Sequence, residues 1–306
     1  MHNKLFCLNC KNYGHNSKNC KKPIESCGII ILQLSDDIKN IILKKNNIFN
    51  EEINNFNYNR LSNLKNIEKY KNKIKFLLIE KKHSLNYIEF IRGIYEVNDK
   101  NKLEKMFSLM SKDEIKLIKN NTFTKLWRLL WNKTASKKIY QNEFINSYKK
   151  FSILKQNGRL SNLLLIKSKY QYAEWEIPKG KRKMNESNLQ CAIREIKEET
   201  TLDNTTYKIL LNLFKSPTIQ YEYLGTNDIM YKNIFYLSVL NDDYIFHTKE
   251  NKENKEVKQC KFLLIDEIEN YIRNYDSNKI NMLTKIFLFI MNVCETNLNS
   301  EYYLNA

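Results

Sequence analysis

The run GKRKMNESNLQCAIREIKEETTL at residues 180–202 decides how this chain is organised. On a helix advancing about 100° per residue, Glu195, Glu198 and Glu199 fall within an arc of roughly 100°. Leu189, Ala192, Ile193 and Ile196 fall on the adjoining arc, so one face is built to pack and the next is acidic. Three carboxylates held this close repel one another unless a hard cation sits among them, and oxygen ligands of this kind suit Mg²⁺ or Mn²⁺. Such ions clamp a pyrophosphate and activate water. An exposed Glu-rich helix is the bland alternative.

Outward from this run, CGIIILQL at 27–34 and KFLLIE at 75–80 are short apolar stretches that read as strands able to pair with each other. Residues 35–73, rich in Asn, Lys and Ile with weak helical periodicity at Ile38, Ile41 and Ile42, read as a surface insertion. The stretch 84–155 is predicted helical. Tyr87, Phe90, Ile91 and Ile94 repeat at helical spacing, Ser111 and Glu114 have the form of a capping box, and Trp127 and Trp131 make an i,i+4 pair expected in the core. LLLIK at 163–167 fits a strand or the end of a helix equally. Residues 234–240 and 260–265 read as strands, and 280–293 as a closing amphipathic helix.

The head of the chain carries C-x2-C-x4-H-x4-C, with Cys7, Cys10, His15 and Cys20 as candidate ligands and Gly14 at the bend before the His. Three thiolates and an imidazole suit one tetrahedral structural Zn²⁺. Order and spacing resemble the CCHC zinc knuckle of retroviral nucleocapsid proteins. Tyr13 among Lys11, Lys18, Lys21 and Lys22 offers a stacking ring between cations, which fits RNA.

Composition narrows the class. With 51 Lys and Arg against 34 Asp and Glu, the formal charge of +17 favours polyanionic partners such as nucleic acid or polyphosphates. An Asn, Lys and Ile bias of the kind AT-rich coding produces contributes part of it. Seven Cys, three of them beside a His in the first 20 residues, argue for metal in a reducing compartment rather than a disulfide framework. The apolar stretch 282–294 is broken by Lys285 and too short to span a bilayer, and the head has no signal-peptide core. A soluble intracellular protein with no membrane partner is expected.

Residues 180–202 fit the pattern G-x5-E-x7-R-E-U-x-E-E-x-G-U, U being apolar, at Gly180, Glu186, Arg194, Glu195, Ile196, Glu198, Glu199 and Leu202. The stretch resembles the box of the Nudix hydrolases. The upstream matches at family spacing count against a merely exposed acidic helix. Thr201 stands where the family has Gly, at a helix C-cap where the left-handed conformation costs a non-Gly residue about 1 kcal/mol, so the departure bears on stability more than on chemistry. The resemblance implies that Glu195 is the central catalytic glutamate, that Arg194 orients the carboxylates, and that Glu198 and Glu199 are metal ligands. It implies Glu186 as a further ligand, as in viral members, or as a partner of Arg194, as in others. The Gly180 carbonyl is expected where the loop enters the site. A ligand or general base from outside the box is expected from Asp228 or Glu256, and phosphate or RNA contacts from Lys179, Lys181, Arg182 and Lys183.

WEIPKGK at 175–181 and CAIRE at 191–195 resemble more narrowly the mRNA-decapping Nudix proteins of large DNA viruses, of the African swine fever virus and mimivirus type. The likeness extends over about 28–293, apart from 35–73. It implies an α+β chain: a zinc knuckle at 1–22, the first strands of a Nudix α/β/α sandwich at 23–83, a helical insert with an RNA-binding role at 84–155, and the rest of the Nudix domain at 156–306. The implied activity is metal-dependent hydrolysis of capped RNA to m7GDP and 5′-monophosphate RNA, with two or more Mg²⁺ or Mn²⁺ ions. The implied setting is the host cytoplasm, a viral factory or the virion. Diphosphoinositol polyphosphates and free nucleotides are alternative substrates. A non-catalytic RNA-binding protein with a relic box is the alternative of another class, and the intact Arg-Glu and Glu-Glu pairs count against it. Tyr172, Trp175, Tyr221 and Tyr223 can stack on methylguanine or pack in a core. Knuckle and helical block are expected to hold the RNA body while the box cuts, so that losing the knuckle spares small substrates.

Overall fold

The computed structural model describes residues 5–7, 9–10, 12–16, 19–45, 67–131, 140–213, 218–225, 229–241 and 256–304. They divide into two compact units, Met1–Ile79 with Glu176–Ala306, and Glu80–Trp175. In chain order, β1 (Ile24–Leu34), α1 (Asp36–Lys45), α2 (Ile67–Lys71) and β2 (Ile74–Lys81) come first. Among the described residues there follow α3 (Leu85–Ile91), α4 (Lys100–Leu109), α5 (Lys112–Asn120), α6 (Phe123–Trp131), α7 (Gln141–Gln156) and α8 (Arg159–Leu163). Then come β3 (Trp175–Glu176), β4 (Lys179–Gly180), α9 (Asn188–Thr200), β5 (Tyr207–Ile209), β6 (Ile219–Leu224), β7 (Met230–Leu240), β8 (Val257–Leu264), α10 (Ile265–Tyr271) and α11 (Ser277–Leu304).

The unbroken apolar run of β1 suits a strand buried on both faces, and β1 takes a central place. It runs parallel to β7, Ile24 opposite Tyr231 and Leu32 opposite Val239. It runs antiparallel to β2, Leu32 opposite Phe76, and to β4, Cys27 opposite Gly180. β5 and β6 both pair antiparallel with β7. Because strand side chains alternate, Cys27, Ile29, Ile31, Ile234 and Tyr236 share one core with Cys191, Ala192 and Ile196 of α9. The intervening Ile30, Leu32, Phe235 and Leu237 are buried too. Each large apolar side chain contributes about 1.5–3 kcal/mol by leaving water, and the face of Ile29, Ile31 and Ile234 fixes α9 against the sheet.

The ends of the 35–73 segment, expected as a surface insertion, are helices that bury side chains, and the weak periodicity at Ile38, Ile41 and Ile42 falls in α1. α1 buries Ile38 and Ile42 and packs on α11, while α2 buries Tyr70, whose hydroxyl donates to Glu295 at 2.5 Å. Residues 46–66 lie outside the described residues.

The second unit is a helical cluster around Tyr87, Phe90, Phe107, Leu126, Trp127 and Phe151. Its capping box forms as expected, with Ser111 N donating to Glu114 Oε2 at 2.7 Å and Glu114 N to Ser111 Oγ at 3.3 Å. The Glu114 carboxylate also accepts from Ser84 N at 2.5 Å and Ser84 Oγ at 2.8 Å, the full hydrogen bonding that a buried carboxylate needs. Trp127 is buried, and Trp131 packs against the same core. LLLIK resolves as a helix end, since α8 closes at Leu163. Among the described residues no helix is long and apolar enough to cross a membrane.

Candidate active site

The site begins where β4 hands the chain to α9. Ser187 caps α9 and closes a capping box with Gln190, the two bonds measuring 3.2 and 2.9 Å, which fixes the first helical turn directly after the loop 181–186. Gly180, held opposite Cys27, has no room for a side chain. A Cβ there would overlap the carboxyl carbon and both oxygens of Glu195. The first residue of the box is therefore the seat of the Glu195 carboxylate. At the far end of α9, Thr201 takes φ 65° and ψ 2°, so the left-handed C-cap forms with a β-branched residue in it.

Arg194 organises the acids. Its Nε and Nη2 donate to the two oxygens of Glu186 at 2.6 and 2.9 Å, and its Nη1 reaches Glu195 Oε1 at 2.5 Å and Glu198 Oε2 at 3.0 Å. A fifth bond, to the Lys181 carbonyl at 3.0 Å, ties the guanidinium to the loop. The Arg194 hydrogen bonds hold the Glu186 carboxyl down to about 2. Glu198 is lowered as well, first by Lys183, whose Nζ lies at 2.9 Å, and then by Arg194. Glu195 is pushed the other way: burial raises it more than Arg194 lowers it, and the nearby charges of Glu198 and Glu256 add to the rise. Glu199 is buried, with its Oε2 accepting from Lys179 N at 2.9 Å. The fold thus gathers Gly180, Glu186, Arg194, Glu195, Glu198 and Glu199, and brings Glu256 at the head of β8 within electrostatic reach of Glu195. Asp228 lies outside the described residues. A half-buried carboxylate pushed up by burial and by its acidic neighbours is what a hard dication relieves, so this oxygen-rich donor set fits Mg²⁺ or Mn²⁺.

At the head of the chain the ligand atoms of Cys7, Cys10, His15 and Cys20 lie within 4.8 Å of one another. Among the described residues this is the one group of three or more such ligands that converges so tightly. Gly14, at φ 110°, makes the bend before His15. Among the described residues no cysteine is tied up in a disulfide, and three sulfurs with one imidazole form a set that can hold zinc.

The four basic residues flanking the box behave differently. Lys181 is exposed, Lys179 Nζ pairs with Glu176 at 2.8 Å, and Lys183 reaches Glu198. Arg182, expected at phosphates, is turned inward with 4% of its side chain exposed. It pairs with Glu25 at 2.8 Å and donates to Asn188 Oδ1 and to the main-chain carbonyl of Asn9. A guanidinium this buried requires a full set of partners, which is why it is not presented to a ligand. Reading the sequence missed Asn9, Glu25 and Asn188, because nothing local marks residues that meet only in the fold.

It also missed Tyr231. Tyr221 and Tyr223 alternate on β6, and Tyr231 and Phe235 share their face on β7, a pattern of alternate aromatics that was there to find. The rings form a row, Tyr231 to Tyr223 at 5.4 Å and Tyr221 to Phe235 at 6.2 Å, both stacked. The three tyrosines are partly exposed, whereas Trp175 is buried. Lys179 and Glu176 act electrostatically on Tyr223.

The model of the NUDIX domain matches residues 150–284. A protein of Acanthamoeba polyphaga mimivirus named for mRNA decapping is 31% identical over 354 aligned positions, covering 97% of this chain and 97% of the relative. The mRNA-decapping protein g5R of African swine fever virus (isolate Pig/Kenya/KEN-50/1950) is 37% identical over 171 residues, covering 55% of this chain and 67% of that protein. Among solved structures, the C. elegans Ap4A hydrolase in a binary complex aligns at 19% identity with a TM-score of 0.31, covering 39% of this chain and 78% of that one.

Proposed function

This chain belongs to the Nudix hydrolase family, and from that premise we propose that its pyrophosphohydrolase activity is directed at the 5′ cap of RNA, releasing m7GDP and 5′-monophosphate RNA. The observation that carries the reading is the Glu195 carboxylate, seated on Gly180 and bonded to Arg194 beside Glu198, Glu199 and Glu256. Two or more Mg²⁺ or Mn²⁺ ions, held by Glu198 and Glu199 with Glu186, Glu256 and the Gly180 carbonyl as further donors and with Glu195 beside them, would neutralise the bridging phosphates and activate water. Arg194 keeps the carboxylates in one geometry by forked hydrogen bonds. Because its Oε1 is committed to Arg194, Glu195 has Oε2 to take the proton of the attacking water. Lys181, with Lys179 and Lys183, meets the phosphates.

The finer choice of capped RNA rests on two supports. One is the relative named for decapping that matches along nearly the full length of both chains. The other is the tyrosine row: a methylated guanine is cationic and gains from stacking on electron-rich rings, and Lys179 links that face to the box through its backbone bond to Glu199. The Cys₃His cluster, with Tyr13 exposed, suits a zinc knuckle that contacts the RNA body, and the helical unit is assigned the same role.

The test compares cap-labelled RNA, free cap dinucleotide and a diphosphoinositol polyphosphate, with Mg²⁺ or Mn²⁺, and identifies the products. Preference for long capped RNA with release of m7GDP is expected. A preference for either small substrate overturns the RNA assignment, and no hydrolysis of any of the three with Mn²⁺ present revives the non-catalytic RNA-binding reading.

A further inference from the structure

We propose that Arg182 couples the Cys₃His cluster to the catalytic loop, so that zinc at the head of the chain positions the carboxylates that bind the divalent metal of the box. Arg182 lies two residues after Gly180 and four before Glu186, inside the loop that Arg194 also grips through the Lys181 carbonyl. Its guanidinium joins three elements: Glu25 at the start of β1, Asn188 at the first residue of α9, and the main-chain carbonyl of Asn9. Asn9 immediately precedes the ligand Cys10. Its side chain is fully used, accepting from Glu25 N at 2.9 Å and donating to the Pro23 carbonyl at 2.8 Å, the Lys22 carbonyl at 3.2 Å and Cys20 Sγ at 3.3 Å. The turn that carries two of the ligands is thereby welded to β1 and, through Arg182, to the box.

Two physical points give this contact consequence. A buried guanidinium is stable only while its partners stay in place, and removing one leaves a charge uncompensated in a low-dielectric site. The side-chain bonds tie Asn9 to β1, but the direction of its carbonyl is set by the turn into Cys10, which keeps its shape only while the cluster is folded. Among the described residues of the head, Cys7 alone is buried apart from its ring contact of Phe6 with Tyr13, so the segment has too little core to hold itself and depends on metal for its structure. Loss of zinc lets the Asn9 carbonyl turn away, Arg182 seeks another partner or water, and the loop 181–186 shifts. Gly180 and Glu186 shift with it, and these are the seat of Glu195 and the anchor of Arg194. Arg182 is thus a positioning residue acting through the loop. The cluster then serves every substrate of the box, in contrast to the expectation that losing it spares small ones.

The inference rests on the divalent-metal reading of the box and is independent of which pyrophosphate is cut. Its test uses the full chain in four forms: wild type and Arg182→Gln, each zinc-loaded and zinc-stripped, with the chelator removed and zinc content measured. Mn²⁺ binding is followed by the loss of the free-ion paramagnetic resonance signal, and hydrolysis of free cap dinucleotide is measured alongside. Outer-shell partners of a metal site typically change affinity by about 10–100-fold, and that loss of Mn²⁺ affinity is expected on stripping zinc from wild type, with recovery when zinc is restored. Arg182→Gln should show a similar loss with zinc present, and stripping it should add less than about threefold, because both perturbations cut the same link. Arg182→Lys, which keeps the charge but not the fork, should recover part of the affinity. Equal Mn²⁺ affinity with and without zinc in wild type overturns the inference, as does simple multiplication of the two effects. If Arg182→Gln fails to fold, the stripping and restoration of wild type decides alone. No Mn²⁺ binding in any form would instead overturn the metal reading of the box.

Discussion

Replacing Thr201 by Gly should stabilise the protein, although it deletes a side chain. Thr201 sits at φ 65° and ψ 2° as the C-cap of α9, and its side chain is exposed. An L-residue in this region costs about 1–2 kcal/mol through the clash of Cβ with the backbone, and a β-branched one belongs at the upper end. Glycine removes that cost but returns about 0.5–1 kcal/mol through the freedom of the unfolded chain. The net gain is about 1–1.5 kcal/mol, or roughly 4 °C in melting temperature for a unit of this size. Thermal unfolding followed by circular dichroism, with urea midpoints as a check, measures it. Thr201→Asn, which tolerates the left-handed region, should gain part of this, and Thr201→Ala should gain little because it keeps the Cβ. Equal stabilisation by Ala and Gly would refute the reasoning, since the benefit would then come from the side chain and not from the backbone. Catalysis should be unaffected, because the C-cap touches none of the gathered carboxylates.

Two further outcomes follow from the same geometry. Gly180→Ala should leave the fold intact yet lower turnover about 100-fold, because the new methyl displaces the Glu195 carboxyl and misplacement of a reacting group by an ångström costs on that order. Hydrolysis at near wild-type rate would show that Gly180 does not seat Glu195. His83, stacked on Tyr87 and with no hydrogen-bond partner for Nδ1 among the described residues, is pushed down to about 4 by burial and by Lys82. The unfolded chain takes up its proton near pH 6.5, so this stability is present above that pH and is lost as pH falls toward 4. Between pH 7.5 and 5 wild type should lose about 2 kcal/mol more than His83→Phe in urea unfolding, and parallel losses would contradict the assignment.

The box and the metal-ligand head were legible because their information is local. Helical periodicity set the acidic face of α9 beside its packing face, and C-x2-C-x4-H-x4-C put four ligands within reach of one ion. The strand at 27–34 and its antiparallel partner at 75–80 were legible for the same reason, as short apolar runs. What the sequence hid depends on distant pairing. Nothing near Ile24 announces that β1 lies parallel to β7 some two hundred positions away, and nothing near Arg182 announces Asn9 or Glu25. A basic run reads as a phosphate-binding face, and only the fold distinguishes exposed Lys181 from inward Arg182. The ambiguity of 163–167 had the same origin, since four apolar residues and a lysine carry too little periodicity to separate a strand from a helix end.

The most direct measurement is single-turnover hydrolysis of cap-labelled RNA by wild type and Glu195→Gln at saturating Mn²⁺, with m7GDP as the scored product. The substitution keeps size and hydrogen bonding to Arg194 but removes the charge and the proton acceptor. Wild type should release m7GDP, while Glu195→Gln should fold and bind RNA normally and lose at least about 100-fold in rate. Retention of a tenth of the wild-type rate or more would contradict the role given to Glu195, and with it the account of how this site cuts a pyrophosphate.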